Sequence, residues 1–212
     1  MSKKNEINFS SISEQVYRHI KRMILTAELK GGEKIPEEKI ANSFGVSRTP
    51  IREALRRLEK HGLIKILPRQ YAQIVKLESS DKIHIGQVRL QLDILSLRLL
   101  VKRITDEDYQ ALKSIAEKCN EYAIAADFAG CFEKDSEFHC ELARRTENPY
   151  LYDIVRTLDL KVQLIRNIED ISFESTLQNI SLHVPIVEAV YARKIEEAEQ
   201  LITKHLSNYY FN

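Results

Sequence analysis

The sequence predicts a mainly α-helical protein in two parts, an N-terminal winged helix-turn-helix with a small β-hairpin and a C-terminal all-helical antiparallel bundle. Three observations predict it. Four of the six glycines (Gly31, Gly32, Gly45, Gly62) and three of the five prolines (Pro36, Pro50, Pro68) fall before residue 76, cutting that region into short elements. From Ser80 onward amphipathic helical patterns recur and no strand pattern is strong. Charge divides at the same place: residues 1–76 carry 16 Lys+Arg against 8 Asp+Glu, net +8, and the remainder is net −7, so the overall +1 hides a basic part and an acidic part. The expected domains are therefore residues 1–76 and 80–212.

Ser11-Ile-Ser-Glu14 reads as a capping box opening a helix with Ile12, Val16, Ile20 and Ile24 on one side. Gly31-Gly32 ends that region. A short helix starts beside Pro36 and buries Ile40, Ala41 and Phe44, and Gly45 then permits a tight turn. Ser47 can cap the next helix. Pro50 falls in its first turn, where the missing N–H removes no internal bond; Ile51, Leu55 and Leu58 form its apolar stripe, and Gly62 is its stop. Leu63–Leu67 and Ala72–Val75 read as two strands joined through Pro68-Arg-Gln-Tyr71. Beyond Ser80, Val88, Leu92, Leu95 and Leu99 mark one helix, and Tyr109, Leu112, Ile115 and Ala116 another. Further helices are predicted over Tyr122–Ala129, Phe132–Arg144, Pro149–Ile168, Ser175–Ala192 and Arg193–Asn208.

Composition narrows the function classes. Apolar residues at 43% suffice for an ordinary core, and 30% charged residues fit a water-facing surface. No apolar run approaches the ~20 residues that cross a bilayer, and MSKKNEINFSS lacks a signal-peptide core, so the expected location is cytoplasmic, with no membrane partner. Cys119, Cys131 and Cys140 are odd in number and never spaced CxxC, which suggests buried thiols rather than disulfides or a zinc knuckle.

The segment Phe44–Ile64, FGVSRTPIREALRRLEKHGLI, places Arg48, Arg52 and Arg56 at i, i+4, i+8, on a different side from Ile51, Leu55 and Leu58. Arginine near the start of such a helix can grip guanine O6 and N7 with two bonds, which lysine cannot. Thr49 and the helix N–H groups suit phosphate; Arg56, Arg57 and Lys65 add attraction to the DNA backbone; Arg69 sits at the hairpin tip. Residues 11–76, above all Ile40–Leu55 and Leu58–Leu63, closely resemble the GntR family of bacterial transcription regulators. The resemblance implies a homodimer on a palindromic double-stranded DNA operator, with Arg48 and Arg52 matching the base-reading arginines. The wing departs from the family pattern: Gln70-Tyr71 stands where many members have glycine after the arginine.

In the acidic part, Asp135 and His139 lie one helical turn apart, so both can enter one coordination sphere, although such a pair also arises as a local hydrogen bond. His183 and His205 lie on later predicted helices. Residues 80–207 resemble the FCD ligand-binding domain of the FadR-like GntR subgroup, and Asp135, His139, His183 and His205 match its metal set. That set implies a divalent transition metal, Zn, Ni or Mn, because three imidazoles dominate. It also implies a small carboxylate effector on open metal positions. Arg89 resembles a family pocket arginine that pairs with such a carboxylate; its alternatives are a surface arginine or an intersubunit ion pair. Pro185, two residues after His183, is expected to start or kink a helix there. Two other functions are compatible with these residues: a metal-dependent enzyme, for which no general base or nucleophile can be placed, and a metal-stabilised architectural DNA binder.

Overall fold

The computed structural model describes residues 11–68, 70–166 and 172–211. The chain divides into two compact units, Met1–Lys76 and Leu77–Asn212, each with its own core.

The first unit is the expected three helices and a hairpin: α1 (Ile12–Leu25), α2 (Glu37–Phe44), α3 (Arg48–Lys60), β1 (Ile64–Ile66) and β2 (Ala72–Ile74). Only half of the predicted capping box forms. Ser11 Oγ accepts from the Glu14 N–H at 3.2 Å, while the Glu14 carboxylate turns to Arg57 and Arg18. Gly45 (φ 62°) and Gly62 (φ 69°) adopt left-handed backbone at the ends of α2 and α3, which a side chain would resist. Val16, Ile20 and Ile24 of α1 close on Ile51, Ala54, Leu55 and Leu58 of α3, and all are buried. The strands pair antiparallel, Ile64 opposite Ile74 and Ile66 opposite Ala72, and Ile35 N–H donates to Ala72 O at 2.9 Å, tying the segment before α2 to the hairpin.

The second unit is a bundle of α4 (Ser79–Leu100), α5 (Asp106–Ile124), α6 (Phe128–Arg144), α7 (Pro149–Arg166), α8 (Phe173–Ile180), α9 (His183–Tyr191) and α10 (Ile195–Tyr210). Three expectations are corrected. The helix expected over Tyr122–Ala129 is instead the end of α5 and the start of α6. Ala126 takes a left-handed φ of 57°, and Asp127 caps the new helix by accepting from Gly130 N–H at 3.0 Å. The helix expected over Ser175–Ala192 breaks into α8 and α9, because Pro185 has no N–H to donate and its ring crowds the carbonyl four residues back, at Ser181. The stripe Val88, Leu92, Leu95, Leu99 is not the inward face of α4: Val88 and Leu95 are exposed, and Ile85, Gly86, Arg89, Asp93, Ser96, Leu97 and Leu100 are buried. The last two residues of the helix expected over Pro149–Ile168 lie outside the described residues. Among the described residues no helix is long and apolar enough to cross a membrane.

Candidate functional site

The first candidate surface is the outer side of α3. Ser47 occupies the N-cap position, and Pro50 sits in the first turn as its chemistry requires. Because 3.6 residues make a turn, the buried positions Ile51, Ala54, Leu55 and Leu58 leave Arg48, Thr49, Arg52 and Arg56 on the solvent side, and all four are exposed. Arg48, Arg52 and Arg56 make no ion pair among the described residues. They line one wall of a cleft whose other wall includes Ile66, Leu67, Gln70 and Tyr71 of the hairpin. Lys34 lies 3.9 Å from the centre of the Tyr71 ring, giving the bulky residue after the hairpin tip a cationic neighbour. Arg69 lies outside the described residues.

Arg57, grouped with Arg56 by charge alone, has a different position. Its guanidinium lies 2.6 Å from the Glu14 carboxylate and 4.3 Å from the centre of the Tyr17 ring, both on α1. The Arg57 bond holds the Glu14 carboxyl below its usual range. Tyr17 Oη in turn lies 2.8 Å from Nδ1 of His61, the residue at the C-cap of α3.

The second candidate site is inside the bundle. Asp135 and His139 project from one face of α6, His183 is the first residue of α9, and His205 lies in the second half of α10. All four are buried, and one donor atom from each lies within 4.8 Å of the others. His205 Nε2 is 3.1 Å from His139 Nε2 and 3.4 Å from His183 Nε2; Asp135 Oδ1 is 3.3 Å from His183 Nε2 and 3.7 Å from both other Nε2 atoms. Donors bound at ~2.1 Å to one ion sit roughly 3.0 Å apart in an octahedron and roughly 3.4 Å apart in a tetrahedron. The four atoms therefore fit a shared divalent ion without rearrangement of the backbone. Pro185, in the first turn of α9, leaves the His183 ring aimed at the cluster, and Phe138 stacks on that ring with centroids 4.2 Å apart.

The outer atoms of two imidazoles face acceptors, and that of His205 is hydrogen-bonded. His139 Nδ1 lies 2.8 Å from Asp93 Oδ2 and His205 Nδ1 lies 3.0 Å from the Asn179 carbonyl oxygen, so in both rings Nε2 is the atom turned inward. Asp135 Oδ2 is engaged by Arg166 from α7, leaving Oδ1 toward the histidines.

Charge states follow from burial and neighbours. Burial alone pushes the Asp135 carboxyl up, but Arg166 and His139 outweigh it and hold the group well below the usual carboxylate range. Burial holds His183 below its usual range, and burial with the two neighbouring imidazoles holds His205 far below it. For His139, burial and Arg89 lower the value, while Asp93 and Asp135 raise it and prevail. An ionised carboxylate beside neutral imidazoles is the state that binds a cation.

Arg89 is not a surface arginine. Its side chain is 1% exposed, with Nε 3.1 Å from Asp93 Oδ2 and Nη1 3.4 Å from Asp159 Oδ1. Together with Asp135, His139, Arg166, Asn179, His205 and Tyr210 it lines a cavity of about 30 Å³ against the cluster. Asp93, Asp159, Arg166 and Asn179 are the side chains that sequence reasoning did not single out. For Asp93 a signal existed, since it lies four residues after Arg89 and four-residue spacing stacks side chains on one helix face.

Two family models match the chain: bacterial regulatory proteins of the gntR family over residues 12–73, and the FCD domain over residues 84–208. The chain is 30% identical, over 92% of its length and 87% of the relative's, to a protein described as an uncharacterized HTH-type transcriptional regulator, YdhC of Bacillus subtilis (strain 168). It is 25% identical, over 92% of its length and 86% of the relative's, to the HTH-type transcriptional repressor RspR of Escherichia coli (strain K12). Among solved structures, E. coli McbR/YncC is similar with a TM-score of 0.80 at 22% identity, over 93% of this chain and 94% of that one.

Proposed function

Since the chain belongs to the GntR family of bacterial regulatory proteins and carries an FCD domain, we propose that it is a cytoplasmic, metal-containing transcription regulator that binds a palindromic operator as a homodimer and responds to a small carboxylate. The observation that carries the reading is the division of α3 into a buried apolar face and an exposed face bearing Arg48, Thr49, Arg52 and Arg56. Arg48 and Arg52, nearest the helix start, read base edges; Thr49, Arg56 and Arg69 hold phosphates.

The partner surface is the apolar side of α4 that the bundle leaves uncovered. Val88 and Leu95 are exposed there, and Ile154 is exposed on α7, which packs against α4. A second copy covering this face buries it by twofold symmetry, and the same symmetry sets two DNA modules on related half-sites.

Asp135, His139, His183 and His205 are the residues proposed to hold the ion, zinc, nickel or manganese, whose open coordination positions would accept a carboxylate. Arg89 contributes positive charge to the same cavity. The effector changes DNA affinity only to the extent that it prefers one arrangement of the protein over the other, and the coupling is reciprocal: operator DNA shifts effector affinity by the same factor.

Operator selection from random duplexes with metal-loaded protein, repeated with chelator and with small carboxylates, tests the reading. A palindromic consensus whose occupancy changes with carboxylate supports it. A consensus indifferent to every carboxylate, with chelator acting only through stability, would identify an architectural DNA binder, and the absence of any sequence preference would refute the regulator.

A further inference from the structure

We propose that Cys119 and Cys131 form a covalent modification site, a thiol pair that hydrogen peroxide converts into a disulfide joining α5 to α6, and that this link loosens the metal cluster one helical turn away. The link itself is independent of the metal reading above; its consequence for the cluster rests on that reading.

The two cysteines come from different helices, and both are free and 0% exposed. Their sulfurs lie 3.9 Å apart, and Cys119 Sγ donates to the Cys131 carbonyl oxygen at 3.3 Å. Ala123, Ile180, Phe132 and Leu177 enclose them in a small apolar cluster. A disulfide is neutral, so it suits this packing, whereas a sulfinate would bury a charge there.

The pair sits beside the α5–α6 turn: Cys119 is five residues from Ile124, the last of α5, and Cys131 is the fourth residue of α6. Residues 124–127 are exposed, and the turn depends on Ala126 at φ 57°, a costly conformation for alanine. Local opening costs less than global unfolding, so opening of this turn is the route by which the oxidant enters. While the turn is shut, the bond to Cys131 and burial hold the Cys119 thiol above its usual range and keep it unreactive. Once it opens, one thiolate attacks the peroxide: the O–O bond breaks, an S–O bond forms and water leaves. The second thiol then displaces the sulfenic hydroxyl, so that the S–O bond breaks, the S–S bond forms and a second water leaves. The thiols give up two electrons to the peroxide, and their two protons end in the two waters.

Cys131, Asp135 and His139 follow one another at i, i+4 and i+8 on the buried side of α6. An S–S bond of ~2.05 Å leaves about 1.9 Å to close from the present 3.9 Å. Side-chain rotation takes up part of it and α6 the rest, while a metal site tolerates only about 0.2 Å in its ligand distances. A second route runs through Ile180, which packs in the same cluster and follows Asn179, whose carbonyl oxygen holds His205 Nδ1 at 3.0 Å.

The test treats full-length protein, loaded with redox-inert zinc, with hydrogen peroxide, then alkylates it and maps the peptides by mass spectrometry. A Cys119–Cys131 peptide pair lighter by two hydrogens and released by dithiothreitol is expected, with Cys140 left as the alkylated cysteine. Cys140→Ser should form the same link and Cys119→Ala should not. Zinc affinity, read by competition with a chromophoric chelator, should fall about tenfold on oxidation and recover on reduction. Peroxide should leave the zinc affinity of Cys119→Ala unchanged, which separates the link from damage to the histidines. Alkylation of both Cys119 and Cys131 after peroxide, or a link made through Cys140 instead, overturns the site. Unchanged zinc affinity in the fully linked protein overturns the coupling. If the reduced protein binds no zinc, the metal reading falls and the coupling with it, and the peptide map alone decides the link.

Discussion

Replacing Gly86 with alanine measures how closely α10 seats on α4. A Cβ placed on Gly86 would lie 2.5 Å from both Cβ and Cγ of Tyr210 and 2.8 Å from its Cδ1. Carbon atoms in ordinary contact are roughly 3.5–4.0 Å apart, so about 1 Å of separation is missing. Rotating the tyrosine does not supply it, because its Cβ moves only with the backbone; α10 must retreat. Overpacking of this kind costs about 1–3 kcal/mol. Alanine returns about 1 kcal/mol through its better helix propensity. With the shortest contacts falling on atoms next to the main chain, the strain belongs at the upper end of its range, and Gly86→Ala should destabilise the bundle by about 2 kcal/mol. Urea unfolding followed by circular dichroism reads this as a lower midpoint at unchanged slope. In a Tyr210→Gly background all three contacting atoms are gone, and the same substitution should stabilise by the roughly 1 kcal/mol of helix propensity, a coupling of about 3 kcal/mol. A Gly86→Ala protein as stable as its parent, or an equal loss in both backgrounds, would refute the steric reasoning.

Three other predictions concern the two candidate sites and the exposed face of α4. Arg52→Ala should weaken operator binding by about 1–3 kcal/mol and relax the base preference, whereas Arg56→Ala should weaken all sequences alike and lower the salt slope by about 1; fluorescence anisotropy at several ionic strengths separates them. His183→Ala removes one of four converging donors without touching the α3 face. It should lower metal content in elemental analysis after dialysis while retaining DNA affinity in the absence of effector. Leu95→Glu places a charge on the uncovered apolar side of α4. Sedimentation velocity should show monomers, and operator affinity should fall with the loss of one half-site.

Much of the first unit is legible in the sequence because its signals are local. Gly45, Pro50 and Gly62 act within a few residues, whereas Ser47 holds the N-cap position without a side-chain cap bond; the apolar spacing of Ile51, Leu55 and Leu58 points to the face that is buried. In the bundle the same logic misleads. The apolar stripe of α4 looks like a core face, yet the helix turns Arg89, Asp93 and Ser96 inward: Asp159 of α7 receives Arg89, His139 of α6 faces Asp93, and Ser96 donates to the Leu92 carbonyl of its own helix. No periodicity records that Asp159 lies 70 residues away from Arg89, or that Arg166 reaches Asp135 across 31 residues. The break between α5 and α6 is equally silent, since it rests on an alanine, Ala126, in a conformation usually left to glycine. The four-residue spacing of Asp135 and His139 is readable because helix geometry alone brings them together. Convergence of His183 and His205 on them belongs to tertiary packing, and at the sequence level it follows only from the family resemblance.

Glu14 and Tyr17 of α1 hold Arg57 on the side of α3 away from Arg48 and Arg52, adding to the buried Ile51, Leu55 and Leu58 that seat the helix. Each residue advances a helix by about 100°, so even a modest roll would swing Arg48 and Arg52 past the bases they would otherwise meet. If Arg48 and Arg52 read bases as proposed, sequence discrimination would depend in part on the rear of the helix, on an acidic residue and an aromatic ring of α1. On that reading, substitutions at Glu14 would retune operator preference while every side chain on the outer face of α3 keeps its identity.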